Sequence, residues 1–99
     1  FISDRQWEQF HSPKNLSMAL AIEAAELMDL FKWQSADETW QALSDDPDIR
    51  QNASDELADV LVYALAFANR HGIDISTAIE TKMAKNGVKY PREKFTGRY

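Results

Sequence analysis

The sequence predicts an all-α fold, a four-helix bundle completed by oligomerisation, and three observations carry that expectation. Two long stretches, around residues 14–33 and 54–70, are rich in Ala, Leu, Met and Glu and lack Gly and Pro. No stretch alternates apolar and polar residues convincingly; Ile73–Ile75 and Val88–Tyr90 are too short to matter. Cap residues, prolines and glycines punctuate the chain at helix-length intervals. In order, residues 3–10 read as a short helix capped by Ser3. Ser12-Pro13, a cap followed by a first-turn proline, starts a second helix running to about Trp33. Residues 34–48 are rich in Ser and Asp and read as loop, with one turn around Glu38–Leu43. A third helix begins near Asp48 or Ser54 and stops before Gly72. Asp74 or Ser76 caps a fourth, which ends near Gly87, and Tyr90-Pro91 opens an irregular basic tail.

Ninety-nine residues predict one domain spanning residues 1–99, with 44% hydrophobic and 27% charged residues, a globular balance. The apolar faces of two helices exceed what a monomer of this size covers, so a homodimer or homotetramer is expected. Apolar runs are too short for a membrane span. The absence of cysteine excludes thiolate chemistry and disulfides, and with no visible secretion signal a cytoplasmic location is expected. The first residue is Phe1, which leaves open what precedes it. The Asn15-Leu16-Ser17 and Asn52-Ala53-Ser54 triplets read as chance matches to a glycosylation pattern. The net charge of −5 argues against nucleic-acid binding. Residues 1–79 hold five Lys/Arg and fourteen Asp/Glu, whereas residues 80–99 hold six Lys/Arg and two Glu. Such an acidic body with a basic tail suits a ligand carrying both a metal ion and phosphates.

Glu23 and Glu26 lie three apart on the second helix, and Glu56 and Asp59 three apart on the third, each pair bordering apolar positions. One such pair is usually a solvated helix edge. Two pairs on two apolar helices converge if the helices pack antiparallel, and four converging carboxylates repel one another unless a cation neutralises them. An all-oxygen set suits Mg²⁺, with Mn²⁺ as a substitute. With only His11 and His71 and no cysteine, zinc arrangements are excluded. Asp45-Asp46-Pro47-Asp48 lacks the glycine and ligand spacing of an EF-hand and reads as an exposed acidic loop.

The acid pairs, the following Val60-Leu61-Val62-Tyr63, the downstream Lys82, Asn86 and Tyr90-Pro91, together with Trp7-Glu8-Gln9-Phe10-His11 and Phe31-Lys32-Trp33, resemble the MazG-like all-α nucleoside triphosphate pyrophosphohydrolases, in particular their dCTP pyrophosphatase-like branch. The similarity covers nearly the whole chain. Many MazG-like sequences carry another glutamate just before the first pair; here that position is Ile22, as the dCTP-type branch tends to have it. The resemblance implies Mg²⁺-dependent cleavage of a nucleoside triphosphate, dCTP or a related or modified dNTP, to a monophosphate and pyrophosphate, as in nucleotide-pool house-cleaning. It implies Glu23, Glu26, Glu56 and Asp59 as metal ligands, with Glu23 or Glu26 activating water. Lys82 and Asn86, with Tyr63, Lys89 and Lys85, would meet phosphates or sugar. Trp33, Trp7, His11 and Phe31 would form the base site, while Trp40 has no matched role. Alternatives are a related enzyme for dUTP, a damaged nucleotide or phosphoribosyl-ATP, and a non-catalytic metal- and nucleotide-binding helical oligomer.

Overall fold

The computed structural model describes residues 9–89, with side chains to residue 87. Four helices run through them and no strand is present among the described residues: α1 (Pro13–Asp29), α2 (Ala36–Asp45), α3 (Pro47–Arg70) and α4 (Ile75–Lys89). The number four matches the expectation, but the membership differs. Of the expected helix at residues 3–10, only residues 9 and 10 are described, and they are helical. The basic tail also lies outside the described residues.

Local chemistry sets each start. Ser12 Oγ accepts from the Asn15 N–H at 3.1 Å, with Pro13 in the first turn of α1. Asp46 Oδ1 accepts from the N–H groups of Asp48 at 2.9 Å and Ile49 at 3.3 Å, and Pro47 opens α3. Asp74 Oδ1 accepts from the Thr77 N–H at 3.2 Å at the head of α4. Between α3 and α4, Gly72 takes a φ of 69°, the left-handed conformation that lets the chain turn out of α3.

Two expectations need correction. The segment read as loop with one turn is α2, ten residues long. Ser35 and Glu38 form a reciprocal capping box: Ser35 Oγ accepts from the Glu38 N–H at 3.2 Å, and Glu38 Oε1 accepts from the Ser35 N–H at 2.8 Å. The Ser35 N–H, and after it the Ser35 hydroxyl, hold the Glu38 carboxyl below its ordinary range. The second correction concerns α1, which ends at Asp29 rather than near Trp33. The N–H groups of Leu30 and Phe31 bond back to the Leu27 and Met28 carbonyls, a tightened last turn that directs Phe31-Lys32-Trp33 off the helix axis.

The packing centres on α1 against α3, with α2 leaning on α3 and α4 touching the others only marginally. The pair is antiparallel. At one end His71 Nε2, after α3, donates to the His11 carbonyl, before α1, at 3.0 Å. At the other end Phe31 shares a cleft with Arg50 and Ala53. The seam of α1 is Leu16, Leu20, Glu23 and Leu27; that of α3 is Ala53, Glu56, Val60, Tyr63 and Phe67. Only Leu16 and Ala68 are buried among the described hydrophobic residues. One buried leucine contributes about 1.5–3 kcal/mol, small against the ordering cost of the helices. Two four-spaced apolar stripes, Leu57, Leu61, Leu65 on α3 and Ile75, Ile79, Met83 on α4, remain exposed. The described residues of one chain therefore leave the bundle open.

Candidate active site

Antiparallel pairing sets Glu23 opposite Glu56 midway along the seam, and both side chains are partly buried. Glu23, Glu56 and the more exposed Asp59 each offer a carboxylate oxygen within 4.8 Å of the others. Glu26 is exposed and stands outside this trio, yet beside it. Its hydrogen-bonded contact is the largest of the influences that push the Glu23 carboxyl up to about 7. Loss of water, contact with Glu56 and the charges of Glu26 and Asp59 follow. The Glu56 carboxyl is also raised, first by loss of water, then by contact with Glu26 and by the charges of Glu26 and Asp59, while contact with Glu23 opposes the shift.

These residues fit a hard divalent cation. Glu23 Oε2 and Glu56 Oε2 are buried with no hydrogen-bond partner, an arrangement that costs free energy unless a donor or a cation arrives. The donor set is all oxygen, which suits Mg²⁺ or Mn²⁺.

The raised carboxyls make a prediction about the apo protein. Between the ordinary value of 4.5 and about 7, folded Glu23 holds a proton that the unfolded chain has released. Its contribution to stability therefore falls as pH rises through that window and is lowest above it. The raised Glu56 acts in the same direction, whereas the depressed Glu38 carboxyl acts only at lower pH. In chelator the melting temperature is expected to fall between pH 5 and 8, and Mg²⁺ to remove that fall. Calorimetric scans across pH check this, and an apo melting temperature that rises across the window, or ignores Mg²⁺, contradicts it.

The remaining site candidates are dispersed. Tyr63 lies one turn beyond Asp59 on α3, partly buried. Phe31 lines a cleft of about 420 Å³ beside the acids, between the end of α1, Leu43 of α2 and the first half of α3. Trp33 is 89% exposed, with Lys32 Nζ 5.5 Å from its ring centroid. His11 lies at the opposite end of α1, where it lines a cleft with Asn69 and Arg70. The 17 residues of α1 span about 26 Å, so His11 and Phe31 of one chain do not share a base site. Lys82 and Lys85 are exposed and Asn86 partly buried on the marginally packed α4. Trp7 and the Lys89 side chain lie outside the described residues. Sequence reasoning missed Arg50, Ser54 and Leu43, which line the cleft with Phe31. Only their register with Glu56, and the capping box that announces α2, could have pointed to them.

Residues 18–98 match the MazG-like family. The chain belongs to the MazG-like family. Its fold is similar to the crystal structure of a pyrophosphatase from Archaeoglobus fulgidus, with a TM-score of 0.77 and 39% identity, over 88% of this chain and 79% of that one. Among curated relatives, it is 42% identical over 95 residues to dCTP pyrophosphatase 1 of Rattus norvegicus and 42% identical over 92 residues to that of Homo sapiens. Each alignment covers 92% of this chain and 53% of the relative. The chain thus spans about half the length of these curated relatives. No described helix is long and apolar enough to cross a membrane.

Proposed function

We propose that this MazG-like chain is a Mg²⁺-dependent nucleoside triphosphate pyrophosphohydrolase. Its substrate would be dCTP or a closely related or modified dNTP, cleaved between the α- and β-phosphates to a monophosphate and pyrophosphate. The observation that carries the reading is the facing of Glu23, Glu56 and Asp59 across the α1–α3 seam, with unpartnered oxygens on Glu23 and Glu56. The similarity to dCTP pyrophosphatase 1 of Rattus norvegicus supports the choice of nucleotide.

Glu23, Glu56 and Asp59 would hold the metal, with Glu26 as the residue facing the attacking water. Bound Mg²⁺ supplies charge neutralisation at the phosphates and a lowered pKa for water. Glu26, beside the trio but outside it, accepts the proton released as water attacks phosphorus. The new bond joins the water oxygen to that phosphorus, and the bond to the oxygen bridging the α- and β-phosphates breaks. Pyrophosphate leaves with that bridging oxygen or with the attacking one, according to which phosphorus is attacked. Tyr63 would contact sugar or phosphate, and Phe31 the face of the base. Lys82 and Asn86 would supply phosphate contacts.

Assembly belongs to the same proposal. The exposed stripes on α3 and α4 match in spacing, and α4 lacks a well-packed partner among the described residues. A second copy covering them completes the bundle as a homodimer or, by pairing dimers, a homotetramer. Such packing would also fix Lys82 and Asn86 in place. A cytoplasmic, pool-cleaning role fits this chemistry. The test is a panel of dNTPs with Mg²⁺, methylated and oxidised nucleotides included, with pyrophosphate and orthophosphate separated. Pyrophosphate from dCTP or a near relative is expected; none from any nucleotide would sink the proposal.

A further inference from the structure

One acidic stretch of the chain has no cation within it. Residues 33–49 carry Asp37, Glu38, Asp45, Asp46 and Asp48 and no Lys or Arg. All five acids are exposed. Glu38 and Asp46 cap helices, and Asp45 accepts from the Gln41 amide at 2.8 Å, so these carboxylates meet neutral donors. Among the described residues the one ion pair, at 3.2 Å, joins Lys32 to Asp29, outside this stretch. Glu38, Asp45 and Asp46 line a cleft of about 520 Å³ with Gln34, whose Oε1 is buried without a hydrogen-bond partner. A cleft that gathers carboxylates around an unsatisfied acceptor lacks N–H donors and positive charge.

A different face of α2 is apolar. Thr39, Trp40 and Leu43 line, with Phe31, a second cleft of about 320 Å³. Trp40 is 77% exposed there and has no part in the proposed chemistry. A large ring left open beside other apolar groups marks a contact surface.

The chain itself carries a segment with the complementary features. After Lys89, at the end of α4, come Arg92, Lys94 and Arg98 against Glu93, with Phe95 and Tyr99 among them. These residues lie outside the described ones, so their spacing is read from the sequence alone. The three cations fall at even positions and the two rings at odd positions, which in an extended chain separates charge from ring. Reach allows the pairing. The 15 residues of α4 span about 22 Å, and ten more residues add up to about 33 Å. The 24 residues of α3, which separate the head of α4 from α2, span about 36 Å.

We propose that residues 92–99 dock on α2, with Arg92, Lys94 and Arg98 at the acidic cleft and Phe95 and Tyr99 in the apolar cleft beside Trp40. The tether holds the segment at an effective concentration on the order of millimolar, so contacts that are weak one by one suffice. Docking anchors the far end of α4, which packs only marginally among the described residues.

The chain has no cysteine and three tryptophans, which makes the test clean. A nitroxide is attached to full-length Thr96→Cys protein carrying ¹⁵N-labelled Trp, and the three indole signals are assigned by Trp→Phe replacements. The label is expected to broaden the Trp40 indole beyond detection, and more than those of Trp7 and Trp33. Reducing the nitroxide restores the signal. Asp45→Asn combined with Asp46→Asn should also restore it, since Asn still caps α3 but removes the charge. Salt at about 1 M, where the screening length is roughly 3 Å, should do the same. Circular dichroism confirms unchanged helix content in each variant. A Trp40 signal as strong as with the reduced label overturns the proposal, as does stronger broadening of Trp7 or Trp33. Broadening of Trp40 that survives both the paired Asn variant and high salt overturns it too, because charge is what selects this surface.

Discussion

Replacing Glu56 by Gln is expected to lower Mg²⁺-dependent pyrophosphate release by about three orders of magnitude, because held charge carries most of the catalysis in phosphate transfer. The variant removes one of the three carboxylates that approach within 4.8 Å. It also removes one source of the repulsion between them, which gives a second readout. The apo melting temperature of Glu56→Gln at pH 8 should equal or exceed that of wild type, while Mg²⁺ should no longer raise it. A protein that had merely misfolded would show the reverse in chelator. Glu26→Gln separates the roles further. Glu26 lies outside the trio, so that variant should retain the thermal response to Mg²⁺ and still lose turnover. Activity that persists in Glu56→Gln would show the metal assignment to be wrong.

The second large effect lies away from the acids. Ile79→Asp places a charge in the middle of the exposed apolar stripe of α4, where Ile79 is 55% accessible in one chain. If that stripe were solvent-facing in the working protein, the substitution would be neutral or favourable. If a second copy covers it, a buried unpaired carboxylate results, and the assembly falls apart. Sedimentation is expected to show wild type as a dimer or tetramer and Ile79→Asp as a monomer. Cooperative thermal unfolding should be lost with it, since Leu16 and Ala68 alone make little core. A monomeric wild type with full activity would contradict the assembly.

Much of this was legible in the residues, and the parts that were not have physical reasons. The acid pairs could be placed on two helices because spacing of three on an apolar helix is a local property. Their meeting could be anticipated only conditionally, since antiparallel packing is a tertiary fact. The segment forming α2 reads as loop because of its Ser and Asp content, although Ser35 and Glu38 spell a capping box that propensity alone does not weigh. The end of α1 was overrun because no glycine or proline stops it; the chain leaves the helix through backbone bonds to Leu27 and Met28 that composition does not signal. His11 and Phe31 were grouped by resemblance, and the length of α1 separates them within one chain.

The most direct measurement is phosphorus NMR of dCTP incubated with the wild-type protein and Mg²⁺, then with chelator. The expected result is dCMP and pyrophosphate in equal amounts with no orthophosphate, and no reaction once Mg²⁺ is removed. Formation of dCDP and orthophosphate, or undiminished turnover in chelator, would contradict a pyrophosphohydrolase built on Glu23, Glu56 and Asp59.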